Sequence, residues 1–174
     1  MRDNTLEDAI KKTKDEAALN LFKTWNCAYS PFKALADSLG INITEEMKGA
    51  SIGFAGGISG NGHLCGALWA AVAAVGAYAR LRMIRNGEGG ADRAEGPEFI
   101  QVNNEIHSLA SEVYRKFVEK WGSPNCKDLN PRFELHEPEQ QRKCRAIVRS
   151  SVEIALRTLY QRYGEGTISR TGSG

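Results

Sequence analysis

The sequence predicts an all-α fold, a compact bundle of five to six helices with a glycine-rich loop leading into a central apolar helix. Two observations predict it. Apolar residues recur at helical spacing along nearly the whole chain, and no stretch alternates apolar and polar residues as a half-buried strand does. A chain of 174 residues is long enough to bury a hydrophobic core without disulfide bonds or metal ions to stabilise it. We expect a single helical domain over 1–164 and a flexible C-terminal tail over 165–174.

The first three helices are delimited by their apolar spacing and their caps. The first covers about 6–25 and the second about 27–39, where Gly40 supplies a C-terminal stop. Thr44, followed by two glutamates, is typical of the N-cap and first turn of a short third helix.

The remaining helices follow the glycine-rich loop. An apolar helix covers about 63–85, and a polar loop over 86–97 separates it from the next one. That amphipathic helix runs from Val102 to Trp121 and ends at Gly122. The last helix covers about 139–163. Trp25, Trp69 and Trp121 all fall on apolar faces and are predicted to lie in the core.

Composition and charge exclude several classes of protein. The longest apolar stretch, over 64–79, is shorter than the roughly 20 residues that span a bilayer, so we interpret it as a buried helix and expect no membrane span. The charged N-terminus lacks the apolar region of a signal peptide, which predicts a cytoplasmic protein. The net charge of +2 gives no reason to expect nucleic-acid binding.

Four cysteines carry most of the chemical information in this chain. They are Cys27, Cys65, Cys126 and Cys144, each in a different segment. Taken singly, a free cysteine is more often an inert core residue. Three of the four, however, stand at predicted helix starts, which core packing does not explain. Since disulfides are rare in a reducing cytosol, four gathered cysteines would indicate metal or redox chemistry.

Cys65 has the most distinctive predicted environment. It lies at the start of the apolar helix, where unpaired N–H groups and the helix dipole favour an anion and would lower a thiol pKa by about one unit. His63, two residues earlier, could ligate a metal or carry a proton for Cys65. Neither His107 nor His136 has a partner at metal-ligand spacing.

The loop over 53–66, GFAGGISGNGHLCG, holds six glycines in fourteen residues. It lacks the Lys-Ser/Thr ending of a P-loop, and it does not match the dinucleotide-binding fingerprint. Its backbone could still approach a bound group closely and donate N–H groups to it. The alternative is a tight chain reversal that only packs against a neighbouring helix.

Four segments together resemble the C-GCAxxG-C-C family of redox-active proteins: WNCAYSPFKAL, GFAGGISGNGHLCGALWA, FVEKWGSPNC and RKCRAIV. The resemblance covers about 20–160 and implies an all-helical redox protein. It implies that the four signature cysteines are Cys27, Cys65, Cys126 and Cys144, and that the glycine turn of the cofactor site is formed by Gly56, Gly57, Gly62 and Gly66. Ala70 departs from the pattern, since the family has a glycine there.

A related module occurs in split-Soret cytochrome c, where an iron–sulfur cluster accompanies the haem. This chain has no CxxCH motif, so no covalent haem is expected. The leading hypothesis is an electron-transfer protein that holds a [2Fe–2S] or [4Fe–4S] cluster on the four cysteines, which act as the metal ligands. It would exchange electrons with an unidentified redox partner protein, and a homodimer is a further option.

Two other hypotheses stay open. Cys65 could be the attacking thiolate of a thiol–disulfide redox protein, which needs a second cysteine within disulfide reach. Alternatively, the cysteines could bind structural zinc or merely pack, although structural zinc usually recruits ligands in close sequence pairs that this chain lacks. The sequence assigns no catalytic residue and leaves open whether the protein is an enzyme.

Overall fold

The computed structural model describes residues 3–87, 96–131, 137–164 and 167, and over these residues the protein is all-α, as predicted. The described ranges contain seven helices and no strand. They are α1 (Asp3–Thr24), α2 (Tyr29–Leu39), α3 (Glu45–Ile52), α4 (Gly66–Arg85), α5 (Pro97–Trp121), α6 (Cys126–Leu129) and α7 (Pro138–Tyr163). The expected five to six helices become seven because α6 is a turn of four residues, too short for an apolar period to reveal it.

The predicted caps are confirmed. Gly40 ends α2 in the left-handed conformation at φ 65°, and its N–H donates to the carbonyl of Ala36. The Thr44 hydroxyl accepts a hydrogen bond of 3.3 Å from the backbone N–H of Met47 at the start of α3. Gly122 ends α5, again with a left-handed backbone. These local signals position the helix ends independently of the bundle.

The central apolar helix, α4, is the middle of the bundle. It packs against α2, α5 and α7, while α1 packs against α2 and α7. Ala67, Ala70, Ala71 and Ala74 are almost completely buried, and these small side chains let the neighbouring helices approach closely. By length and composition α4 is long and apolar enough to span a membrane, a test that core helices of soluble proteins also pass, and half of its most apolar window is buried inside the protein.

The core prediction for the tryptophans is wrong in one case. Trp25 is 48% exposed and has a positive φ of 55°, because it follows the end of α1 rather than continuing the helix. Trp69 is half-buried and stacks on Phe54 with ring centroids 4.5 Å apart. Trp121 is also half-buried, and its indole N–H donates to Ser150.

Two predicted segments lie largely outside the described residues. Of the polar loop over 86–97, positions 88–95 are not described. Of the tail over 165–174, the structure describes Thr167 alone. The predicted boundary of the domain at 164 therefore stays a prediction.

Candidate cofactor site

All four cysteines line one cavity of about 330 Å³ at the N-terminal end of α4. Cys27 lies in the turn before α2, Cys65 is the N-cap of α4, Cys126 is the first residue of α6, and Cys144 lies in the second turn of α7. Packing of four separate segments thus brings the thiols to a common space. Cys65 and Cys126 are buried, and the other two are half-buried.

Cys27 stands outside α2 because the helix begins two residues later than expected, with Ala28 as its N-cap. The Asn26 side-chain oxygen accepts hydrogen bonds from the backbone N–H groups of Ala28 and Tyr29, at 3.1 and 2.7 Å. The helix therefore begins at Tyr29, and Cys27 lies in the preceding turn, where its sulfur faces the glycine-rich loop.

Backbone pairing joins the glycine-rich loop to the segment that carries Cys126. The Cys65 N–H donates to the carbonyl of Pro124 at 2.8 Å, and the Cys126 N–H donates to the carbonyl of His63 at 2.6 Å. Lys127 continues the pairing by donating to Gly62 at 2.9 Å. This short ladder, centred on the bridge between Leu64 and Asn125, brings Cys65 and Cys126 together.

The glycine turn is required for this close approach. Gly57 has φ +72°, and a Cβ on it would lie 2.6 Å from both the nitrogen and the oxygen of His63 and 2.8 Å from the Cβ of Cys126. A Cβ on Gly66 would lie 3.0 Å from the sulfur of Cys27. At Gly62 it would meet the side chain of Lys127 at 2.9 Å, and Gly56 has a positive φ of 66°. Any larger residue at Gly57 or Gly66 would displace a cysteine-bearing segment.

Neither of the two histidines that the structure describes, His63 and His107, contributes a side chain to this cavity. His63 is exposed and is not among the lining residues, and its contribution is the backbone pairing described above. His107 is exposed on α5. His136 lies outside the described residues.

The predicted lowering of the Cys65 pKa is wrong. Burial, together with the neighbouring Cys27, raises the pKa of Cys65 to about 12. The backbone amides of Leu68 and Ala67 face the thiol and oppose this shift, although neither completes a side-chain cap hydrogen bond. Loss of hydration outweighs the helix dipole because the dipole effect is about 2 kcal/mol at most, whereas burying a thiolate costs more.

The other three thiols are shifted in the same direction. Burial raises the pKa of Cys126 to about 11 and that of Cys144 to about 12, with Cys27 as the next contributor to both shifts. Burial also raises the pKa of Cys27, although N–H groups including those of Gly56 and Gly66 oppose the change. In the metal-free protein all four are therefore neutral thiols at pH 7, and the mutual electrostatic effects indicate that they are close neighbours.

Residues 25–158 match a family described as "putative redox-active protein (C_GCAxxG_C_C)". The chain belongs to the C_GCAxxG_C_C family. The match includes all four cysteines and the whole glycine turn, so the resemblance noted from the sequence is confirmed.

One relative in this comparison comes from Archaeoglobus fulgidus and carries the description "uncharacterized protein". The two chains are 46% identical over 154 residues, which cover 88% of this chain and 97% of the relative. No solved structure matches the chain.

Sequence reasoning missed several residues around the cysteines of this family member. Asn130 is 6% exposed, and its side-chain amide donates to the sulfur of Cys144 at 3.6 Å. Phe22 and Trp25 form an exposed aromatic edge of the cavity. No periodicity or motif signals Asn130, because its contact depends on how α6 packs against α7.

The cysteines share a cavity without forming a compact single-ion site. Within the described ranges, no group of three or more His, Cys, Asp or Glu side chains is arranged to hold one metal ion. Four thiolates around one zinc would need sulfurs about 3.8 Å apart, since Zn–S bonds are about 2.3 Å long in a tetrahedron. Within the described residues the structure therefore shows a shared cysteine cavity but no preformed single-ion site.

Proposed function

We propose that this protein is an electron-transfer protein that holds an iron–sulfur cluster on Cys27, Cys65, Cys126 and Cys144. The observation that carries the proposal is the shared cavity, to which four remote segments each contribute one thiol. The family description as redox-active points to the same kind of chemistry. An unidentified protein would supply or accept the electron, and the exposed Phe22 and Trp25 offer an apolar surface at the edge of the site.

The chemistry of the lining residues supports this type of cofactor. Thiolates are the usual ligands of iron–sulfur clusters, and four of them satisfy either a [2Fe–2S] or a [4Fe–4S] group. A bound cluster would supply a one-electron couple whose potential depends on charge, hydrogen bonds to sulfur and exposure to water. The ligand spacing matches neither bacterial nor plant-type ferredoxin, so tertiary packing would assemble the site.

The surrounding groups also fit the charge that such a site would carry. Four thiolates bear four negative charges, of which a 2+ cluster core offsets two. Backbone N–H groups of Gly56 and Gly66 already favour the negative form of Cys27. Lys143 has the same effect on Cys144, and Arg145 lines the cavity. These donors and cations would stabilise the remaining negative charge.

The buried thiols do not support the alternative in which Cys65 is a free reactive thiolate. A nucleophilic cysteine needs a depressed pKa and access to solvent. Cys65 is 5% exposed, and burial raises its pKa to about 12.

Purification and reconstitution without oxygen test the proposal. We expect brown protein that contains iron and acid-labile sulfide in stoichiometric amounts, with visible absorption that is lost on reduction. The variants Cys65→Ser and Cys144→Ser should lower the cluster content. Ser59→Ala is the matched control, since Ser59 lines the same cavity without offering sulfur.

Three outcomes would contradict the proposal. Protein that stays colourless after reconstitution would exclude the cluster. Stoichiometric zinc without iron, with melting on chelation, would indicate a structural metal site. Rapid alkylation of Cys65 near neutral pH, lost after mild oxidation, would instead favour the thiol–disulfide function.

A further inference from the structure

We propose that Asn130 is a positioning residue of the cysteine site: its amide group donates hydrogen bonds to the sulfurs of both Cys126 and Cys144 and thereby raises the reduction potential of the group they hold. This inference rests on the proposed function. Neither the resemblance to the family nor any sequence motif points to Asn130.

The geometry of Asn130 carries the inference. Its side chain is 6% exposed and lines the same cavity as the four cysteines. The Nδ2 group donates to the sulfur of Cys144 at 3.6 Å, across 14 positions in sequence. Asn130 also lies one turn from Cys126, whose backbone carbonyl accepts the Asn130 N–H, and the side-chain amide lowers the pKa of both cysteine thiols. Because Nδ2 carries two hydrogens, one amide can serve two sulfurs.

The backbone around Asn130 holds this amide in place. Asn130 is the C-cap of α6, and its own N–H donates to the carbonyl of Cys126 at 2.7 Å. The same turn is tied by Asp128, which accepts hydrogen bonds from Ser123 at 2.6 Å and from Asn125 at 3.2 Å. The donor and one of the two sulfurs thus belong to a single locked turn, while Cys144 approaches it from α7.

The orientation of the amide suits a deprotonated site. A thiolate can only accept hydrogen bonds, and Asn130 presents its donor side to the sulfur. A neutral amide also keeps its donors at any pH, unlike a lysine or a histidine. Since hydrogen bonds to sulfur stabilise the more negative state, Asn130 would favour the reduced form of the site.

Three substitutions separate the effect of hydrogen-bond donation by Asn130 from the effect of its side-chain size. Asn130→Leu removes both donors, Asn130→Asp keeps the size but replaces the donors with a negative charge, and Asn130→Gln retains an amide. Ser59→Ala is the matched control, because Ser59 lines the same cavity but its hydroxyl donates to the carbonyl of Gly53 instead of a sulfur. Circular dichroism and thermal melting of each variant establish that it is folded.

The first measurement is the reduction potential of the reconstituted proteins, followed by absorption. We expect Asn130→Leu to raise the ratio of oxidised to reduced protein about tenfold at a fixed applied potential. For one electron, this corresponds to a reduction potential lower by about 59 mV. Asn130→Asp should lower the potential further, Asn130→Gln should restore part of the wild-type potential, and Ser59→Ala should leave the potential unchanged. Potentials equal to wild type in folded, loaded Asn130→Leu and Asn130→Asp would overturn the inference and leave the proposed function intact.

The second measurement uses the metal-free protein and does not depend on a cluster. Alkylation of each cysteine at one alkaline pH is followed by mass spectrometry, with Cys27 as the internal reference. We expect Asn130→Leu to slow the labelling of Cys126 and Cys144 about tenfold relative to Cys27, because their thiolates lose a donor. That result in a protein that takes up no iron would refute the proposed function but support the contact of Asn130 with both sulfurs. Unchanged relative rates would overturn the inference.

Discussion

Gly57→Ala should destabilise the protein more than an alanine at any other glycine of the glycine-rich loop. Two costs combine at this position. The backbone has φ +72°, which costs an L-residue about 1–2 kcal/mol. The new Cβ would also lie 2.6 Å from two backbone atoms of His63 and 2.8 Å from the Cβ of Cys126. Forcing a methyl group into a packed region costs about 1–3 kcal/mol more.

We therefore expect Gly57→Ala to lower the free energy of unfolding by about 2–5 kcal/mol. This is a large part of the total for a domain of this kind, which is about 5–15 kcal/mol. Gly60→Ala is the matched control, since Gly60 has φ +83° in the same loop but no heavy atom within 4 Å of the added Cβ. It should lose only the backbone cost of about 1–2 kcal/mol.

Urea unfolding of the metal-free proteins measures both losses, provided that the slope with denaturant is unchanged. The difference between the two variants isolates the crowding of His63 and Cys126. Iron uptake of the folded Gly57→Ala variant should also fall, because the segment carrying Cys126 must move away. Equal losses of stability in Gly57→Ala and Gly60→Ala would refute the reasoning that this glycine provides space for the cysteine site.

Three further predictions concern pH, charge and the core. The metal-free protein should lose stability as the pH rises from about 9 to about 12. Over this range the thiol of Cys65 loses its proton in the unfolded chain, where its pKa is the ordinary 9.0, but keeps it in the folded protein, where burial raises the pKa to about 12. Urea titrations should show a smaller loss of stability in Cys65→Ala, and an equal loss would contradict this origin. Lys14 and Glu153 form an ion pair at 2.5 Å, and each side chain is about a quarter exposed. A double-mutant cycle should give a coupling free energy of about 0.5–1 kcal/mol between them. A coupling of zero would show that the ion pair does not stabilise the fold. Phe117→Ala should cost about 3–5 kcal/mol in thermal or urea unfolding, whereas the 65% exposed Phe22 should tolerate alanine; similar losses would argue against the described core.

The fold could be predicted from the sequence to the extent that local signals determine it. Gly40, Thr44 and Gly122 act through their own backbone or side-chain geometry, so the helix ends they predict are confirmed. The helix α6 was expected to start near Cys126, which follows Ser123-Pro124-Asn125, but nothing local signals its length of four residues. It forms where the Cys126 N–H pairs with the carbonyl of His63, a contact between segments more than 60 residues apart.

The sequence allowed the four cysteines of the candidate site to be named, but it did not reveal the electrostatic environment of their thiols. The four cysteines and the glycine turn were marked by position and by the family resemblance, and the structure brings the cysteines to one cavity. The environment of Cys65 depends on how deeply α4 is buried, which its own sequence does not report. For that reason the dipole argument predicted the wrong direction for its pKa, and Asn130 was not recognised.

The raised thiol pKa values bear directly on which redox chemistry this cavity suits. Burial raises the pKa of Cys65 and Cys144 to about 12, which suppresses attack on an external disulfide near neutral pH because the thiolate is the reactive species. A metal cluster bound as proposed would reverse that balance, since the charge of a metal deprotonates a coordinating thiol outright. The low dielectric that disfavours a free thiolate would also strengthen the Coulomb attraction between that thiolate and the metal ions. Binding should consequently release protons, and iron uptake that proved independent of pH would count against ligation by these buried thiols.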